Sequence, residues 1–172
     1  MALNLPPGTP QSVNPAVTPT WIFTPNTSAV NVIRVSNTGP APVYVGGLGC
    51  CQANGFPVPP GSRPLELQNV TATLYASSAI SVGSSVSTLN AAYTAGTTSI
   101  VTASSVTTAA GSVLVVGSTV NTGWEPVVVS AISASGTTVT TSAGLLMDHG
   151  SGQIVYAATA RPGQIQVAAG VV

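Results

Sequence analysis

The sequence predicts an all-β protein: two small β-sandwich or barrel modules in tandem, preceded by an extended, proline-rich N-terminal arm. Three observations carry this reading. Strand-sized runs of Val, Ile and Thr recur along the chain, each bounded by Gly, Ser, Asn or Pro. No segment keeps a 3.6-residue apolar period for more than two turns, so the pattern gives helix no support. Finally, 44% apolar residues in a chain of 172 suffice for packed cores, while only 3% are charged, against roughly 25% in an ordinary domain.

The elements follow in chain order. Residues 1–20 carry Pro6, Pro7, Pro10, Pro15 and Pro19 with little apolar periodicity, and read as an arm that lacks a core and gains order by touching a neighbour. The first module, 21–79, opens with "WIFT" and then "AVNVIRVS". There Val30 and Val32 share one face while Ile33 and Val35 share the other, which implies a β-bulge or a strand covered on both sides. "NTGPAP" is a turn in which Asn37 and Gly39 suit positive φ, and Pro40 and Pro42 stop the ladder. "VYVGG" resumes as a strand, "GFPVPPGSRP" reads as a loop, and "LELQNVTATLYAS" closes the module with Leu65 and Leu67 inward and Glu66 outward.

The stretch "SSAISVGSSVSTLNAAYTAG" is a linker or an irregular strand, with the module boundary near residue 80. The second module, 80–158, contains "TTSIVT", "SVLVVG", "EPVVVSAIS", "TTVTTS" and "GQIVYA" as short strands. Residues 159–172 read as a C-terminal tail that docks elsewhere.

Charge narrows the function. Arg34, Arg63, Arg161, Glu66, Glu125 and Asp148 are the only charged residues, the net charge is zero and lysine is absent. Little repels a second copy, so self-association is expected. Three arginines cannot neutralise the roughly six or more phosphates of a typical nucleic-acid footprint, so no nucleic-acid partner is expected. The apolar runs fall far short of the roughly 20 residues that span a bilayer, and "MALNLPPGTPQ" lacks the basic and apolar regions of a secretory signal. Synthesis in a cytoplasm with no membrane partner is the expectation. Each module holds only about 75 residues, a size at which burial is limited and a neighbouring subunit adds stability.

The inventory of reactive groups is short, and no catalytic, cofactor-binding or metal-binding residue is expected. A Ser nucleophile needs a base, and the one histidine, His149, stands beside Asp148 in "LLMDHGSG". Adjacent residues on an extended segment diverge, so the expected role of Asp148 and His149 is to shape a turn that Gly150 and Gly152 allow, or to satisfy backbone groups. Glu66 and Glu125 lie in different modules and do not form a glycosidase pair. Cys50 and Cys51 are adjacent and read as two buried or half-buried free thiols. A zinc site takes about four ligands, and His149 lies far along the chain. "GGLG" lacks the basic residue and helix of a phosphate loop, and the sequons at Asn26 and Asn69 are expected by chance.

The segments "VNVIRVSNTGPAPVYVGG", "GFPVPPGSRPLEL" and "ATLYASSA" resemble a small β module of virion proteins in tailed bacteriophages, especially those of actinobacterial hosts. The second half, from "AGTTSIVTASS" through "GSVLVVG" and "EPVVVSAISASGTTVTTS" to "DHGSG", resembles another phage module. Ser112 stands where that module often has Asp. Together the resemblances span about 130 of the 172 residues. They imply a virion structural protein without enzymatic activity: a capsid decoration protein on the exterior of the head. The expected partners are the major capsid protein and further copies of itself, as a trimer, since decoration proteins commonly occupy three-fold positions. The same modules occur in tail and fibre proteins, so a tail or fibre component contacting the host surface is the alternative. A secreted carbohydrate-binding module is a third reading, weakened by the few aromatics available for sugar stacking, Trp21, Trp124 and four tyrosines.

Overall fold

The computed structural model describes residues 10–25, 31–52, 54–117 and 123–171. Among these residues there is no helix, hence none that could cross a membrane, and fourteen strands form three antiparallel sheets. The chain divides into two compact units, Met1–Ala79 with Arg161–Val172, and Ile80–Ala160.

The first unit is a two-sheet sandwich. One sheet has the order β1 (Gln11–Val13), β14 (Ile165–Val171), β3 (Asn31–Asn37), β6 (Leu65–Gln68). The other has the order β2 (Thr20–Phe23), β7 (Leu74–Ser78), β4 (Val43–Gly46), β5 (Phe56–Val58). Alternation puts Ile33 and Val35 of β3, Val43 and Val45 of β4, and Ile165 and Val167 of β14 into one core with Ile22, Phe23, Val58 and Ala76. Leu65 and Leu67 pack against that core while Glu66 faces solvent, as the alternation in "LELQ" predicts. The chain changes sheet between β6 and β7, beside Asn69, the one non-glycine with positive φ (54°) among the described residues.

Several expectations need correction here. The stretch 159–172 is not a tail: β14 lies between β1 and β3 in mid-sheet, its seven residues paired in unbroken register with β3, and Ile165 and Val167 are fully buried. Its alternate apolar residues fit the open side of β3, and Gly39 permits the approach. A Cβ at Gly39 would collide with the amide nitrogen of Gln164, whose carbonyl accepts from the amides of Thr38 and Gly39. The arm, 1–20, is only partly within the described residues, and its second half belongs to this sandwich. Between Pro10 and Pro15 the amides of Gln11–Val13 are free to pair with β14, Val17 is buried, and the carbonyls of Pro15 and Ala16 accept from Ser78.

Asn37 does not adopt positive φ, and neither does Gly39. β3 pairs with β14 and β6 without a bulge, and Val30 lies outside the described residues. The loop read at 55–64 contains a short strand, β5, which pairs with β4 on one side only, so Pro57 is tolerated.

The second unit is one six-stranded sheet: β8 (Ile80–Thr88), β13 (Ile154–Ala160), β10 (Val113–Val116), β11 (Glu125–Ile132), β12 (Thr138–Thr141), β9 (Ser99–Val101). The stretch left open between linker and irregular strand thus contains β8, whose pairing with β13 shifts register twice. β11 carries a bulge at Ser130. The sheet curls until its two edge strands nearly meet, joined at a single bridge between Leu89 and Thr102 rather than by a continuous ladder. Leu114, Val116, Val127, Val129, Val139, Val155, Ile100 and Leu89 fill the inside. All four residues of β10 are buried, as befits a central strand.

Candidate functional site

The sequence directs attention to the few groups able to do chemistry, and the structure brings two of them, Glu125 and His149, together inside the second unit. Glu125 begins β11 between the buried Trp124 and Pro126, so its carboxylate is carried inward with the apolar run. His149 is held by a reciprocal backbone bridge to Tyr93, the amide of each donating to the carbonyl of the other at 2.8 Å. Gly152, at φ 80°, lets the chain turn so that Gln153 comes back beside the ring.

The imidazole Nε2 lies 2.8 Å from Glu125 Oε1, and Nδ1 lies 2.6 Å from Gln153 Oε1. Glu125 Oε2 accepts from the amide of Leu146 at 2.7 Å, and Oε1 accepts a longer bond from Met147. The side chains of His149 and Glu125 are 0% and 1% exposed. Burial alone would lower the His149 pKa. Its bonds to Glu125 and Gln153, with the carboxylates of Glu125 and Asp148 nearby, outweigh burial and raise it above 6.5.

Chemically this is a closed arrangement. Both imidazole nitrogens and both carboxylate oxygens are engaged by the protein itself, and no hydroxyl or thiol is among their partners. What the cluster does is hold chain. It ties the segment after β12 to the start of β11, and the same segment is laced to the β8–β9 connection by Gly96 N to Leu145 O and Leu145 N to Thr97 O. Asp148 satisfies a backbone group, accepting from the amide of Ala95, 53 residues away. The His149 ring takes neither expected role: it leaves Asp148 for Glu125, a partner 24 residues away. A glutamate set between Trp124 and a Val run, in a chain with three acids and one histidine, was the available signal.

Cys50 and Cys51 are both buried, and no disulfide joins them. Burial, followed by the neighbouring Cys51, pushes the Cys50 thiol up to about 11, so it stays protonated at neutral pH. Glu66 stays with its surface partner: it faces Arg34 across the β3–β6 ladder, 3.0 Å from Nε, which holds its carboxyl below the ordinary range. Among the described residues no three potential metal ligands cluster.

The remaining candidate is the surface. With Arg34 and Glu66 paired and Glu125 buried, the exposed formal charges outside an ion pair are Arg63, Asp148 and Arg161. Leu48 and Phe56 are 62% and 60% exposed in the first unit. The six edge strands are blunted without lysine. β1, β5 and β9 have three residues each, and β5 also contains Pro57. β2 and β8 are irregular in register, and β6 presents Glu66. No protein-family model matches the chain, and no curated protein or solved structure matches it.

Proposed function

We propose that this chain is a bacteriophage virion structural protein of the capsid decoration type, a non-enzymatic cement that binds the outside of the assembled head as a homo-oligomer, most simply a trimer. The observation that carries the proposal is the surface: two compact β units expose three unpaired formal charges in all, while every sheet edge is blunted. Such a surface favours side-chain contact between faces and loops over strand addition, and it suits a repeating shell in which neutral surfaces meet. The resemblance of "NTGPAPVYVGG" and "GFPVPPG" to phage virion modules supports the same reading. Mechanistically, a protein that binds only the closed lattice shifts the shell equilibrium toward that lattice by mass action, and opening the shell must also break its contacts.

Purified protein mixed with particles that lack it tests this directly. Occupancy should saturate on the head, attachment should change little between low and physiological salt, and occupied shells should resist heat better. Binding at the tail tip instead, or heads that gain no resistance when occupied, would overturn the cement reading and favour a tail or fibre role.

A further inference from the structure

We propose that Glu125 and His149 form a proton-controlled latch, which clamps the 145–153 segment onto the second unit and loosens it when His149 loses its proton. The inference concerns that unit alone and does not rest on the virion reading.

Nδ1 faces the amide oxygen of Gln153 and Nε2 faces a carboxylate oxygen of Glu125. With the Gln153 amide in this orientation both oxygens accept, so both ring nitrogens donate, and an imidazole does that only when protonated. The carboxylate meanwhile collects the ring N–H and the amides of Leu146 and Met147, a donor set that suits its ionised form. Removing the ring proton leaves Glu125 without a counter-charge in a site without water access, and Nδ1 stays hydrogen-bonded only if the Gln153 amide turns over to donate.

The charges around the pair leave no substitute. Residues 80–160 contain no lysine or arginine, so the proton on His149 is the only positive charge this unit can carry. Within its own segment the ring has Asp148, held by Ala95 N, and from β11 it has Glu125. Tyr93, opposite His149 in the bridge, has its hydroxyl engaged with the amide of Val101 at 2.7 Å, and Gln153 is neutral. Every ionised neighbour therefore favours the charged ring.

The sign follows from linkage. His149 has a folded-state pKa above 6.5, so its stabilisation is complete below 6.5 and is lost as pH rises through the folded value. Each unit between the two values multiplies the folding equilibrium of the unit about tenfold. What loosens is defined by the contacts the pair secures: Leu145, buried in the core, and the backbone bonds of Leu145, His149 and Gly152.

The full chain has one histidine, so a single imidazole resonance can be followed by NMR from about pH 6 to about pH 9 while thermal unfolding is read from the Trp124 indole signal. The expected result is a midpoint above 6.5 and a melting temperature that falls as pH rises through it. Glu125→Gln should lower the midpoint, and His149→Gln should abolish the pH dependence. A wild-type midpoint at or below 6.5, or melting that is flat across the range, would overturn the latch. These wild-type readings decide the matter even where a variant does not fold.

Discussion

The two units are written in the same Val, Thr, Gly and Ser vocabulary, yet they close their cores by different means. The first unit is discontinuous in sequence. It needs β14, more than 80 residues after β7 in the chain, to stand between β1 and β3. Its buried polar group is neutral: Asn37 donates to the carbonyls of Ala41 and Val58, 2.8 and 2.7 Å away, and its Oδ1 accepts from Gly39 N. The second unit is one continuous stretch, with β10, β11 and β12 adjacent in both chain and sheet, and its buried polar group is an ion pair. Distant segments must meet before the first core exists, at a cost in loop-closure entropy; in the second, β10, β11 and β12 assemble from neighbours, while β8, β13 and β9 pair across longer stretches that still lie within the unit. Buried charge is confined to the place where a loop, rather than a strand, has to be pinned.

That contrast can be broken most severely at β14. A chain ending at Ala160 should lose the first unit altogether, because Ile165 and Val167 leave the core and β1 and β3 lose their shared partner; near-UV circular dichroism of Trp21 and loss of its amide neighbours from the NMR spectrum would report it. Next in size is Glu125→Ala, which orphans a buried imidazole and two amides. It should destabilise the second unit by about 3–5 kcal/mol, with the first unit's transition unmoved in calorimetry. Asn37→Ala does the converse. It leaves two buried carbonyls unpaired in the first unit and should cost about 2–4 kcal/mol there by denaturant titration. Replacing Cys50 and Cys51 together by alanine should cost about 1–2 kcal/mol of first-unit stability, with the same melting temperature in the presence and absence of reductant. Smallest of all, Arg34→Ala should leave thermal melting unchanged within scatter, since both partners are solvent-exposed.

The sequence shows the strands more clearly than their partners. "SVLVVG", "EPVVVSAIS" and "TTVTTS" declare themselves because β-branched density and glycine punctuation act locally, and the alternation in "LELQ" sets the inward face of β6 correctly. β14 is not legible in that way. "IQVAAGV" is small and mild, and what makes it a central strand is the vacant flank of β3, a property of the fold and not of those seven residues. Asn37 reads as a turn former, and its Oδ1 does accept from Gly39 N within the turn; its amide also meets the carbonyl of Val58, across 21 positions that no local pattern encodes. β5 hides between prolines because an edge strand tolerates them. The pairing of Glu125 with His149 is likewise set by how the sheet curls, although an acid embedded in a buried run announces that some partner must exist.

The central claim, that one unit is self-sufficient and the other is closed by the end of the chain, is tested most directly by expressing residues 80–160 alone and recording an amide correlation spectrum. The account predicts dispersed β-type signals, one cooperative melting transition, and His149 and Trp124 resonances matching those of the full chain. A collapsed, poorly dispersed spectrum from this fragment under conditions where the full chain is folded would contradict it.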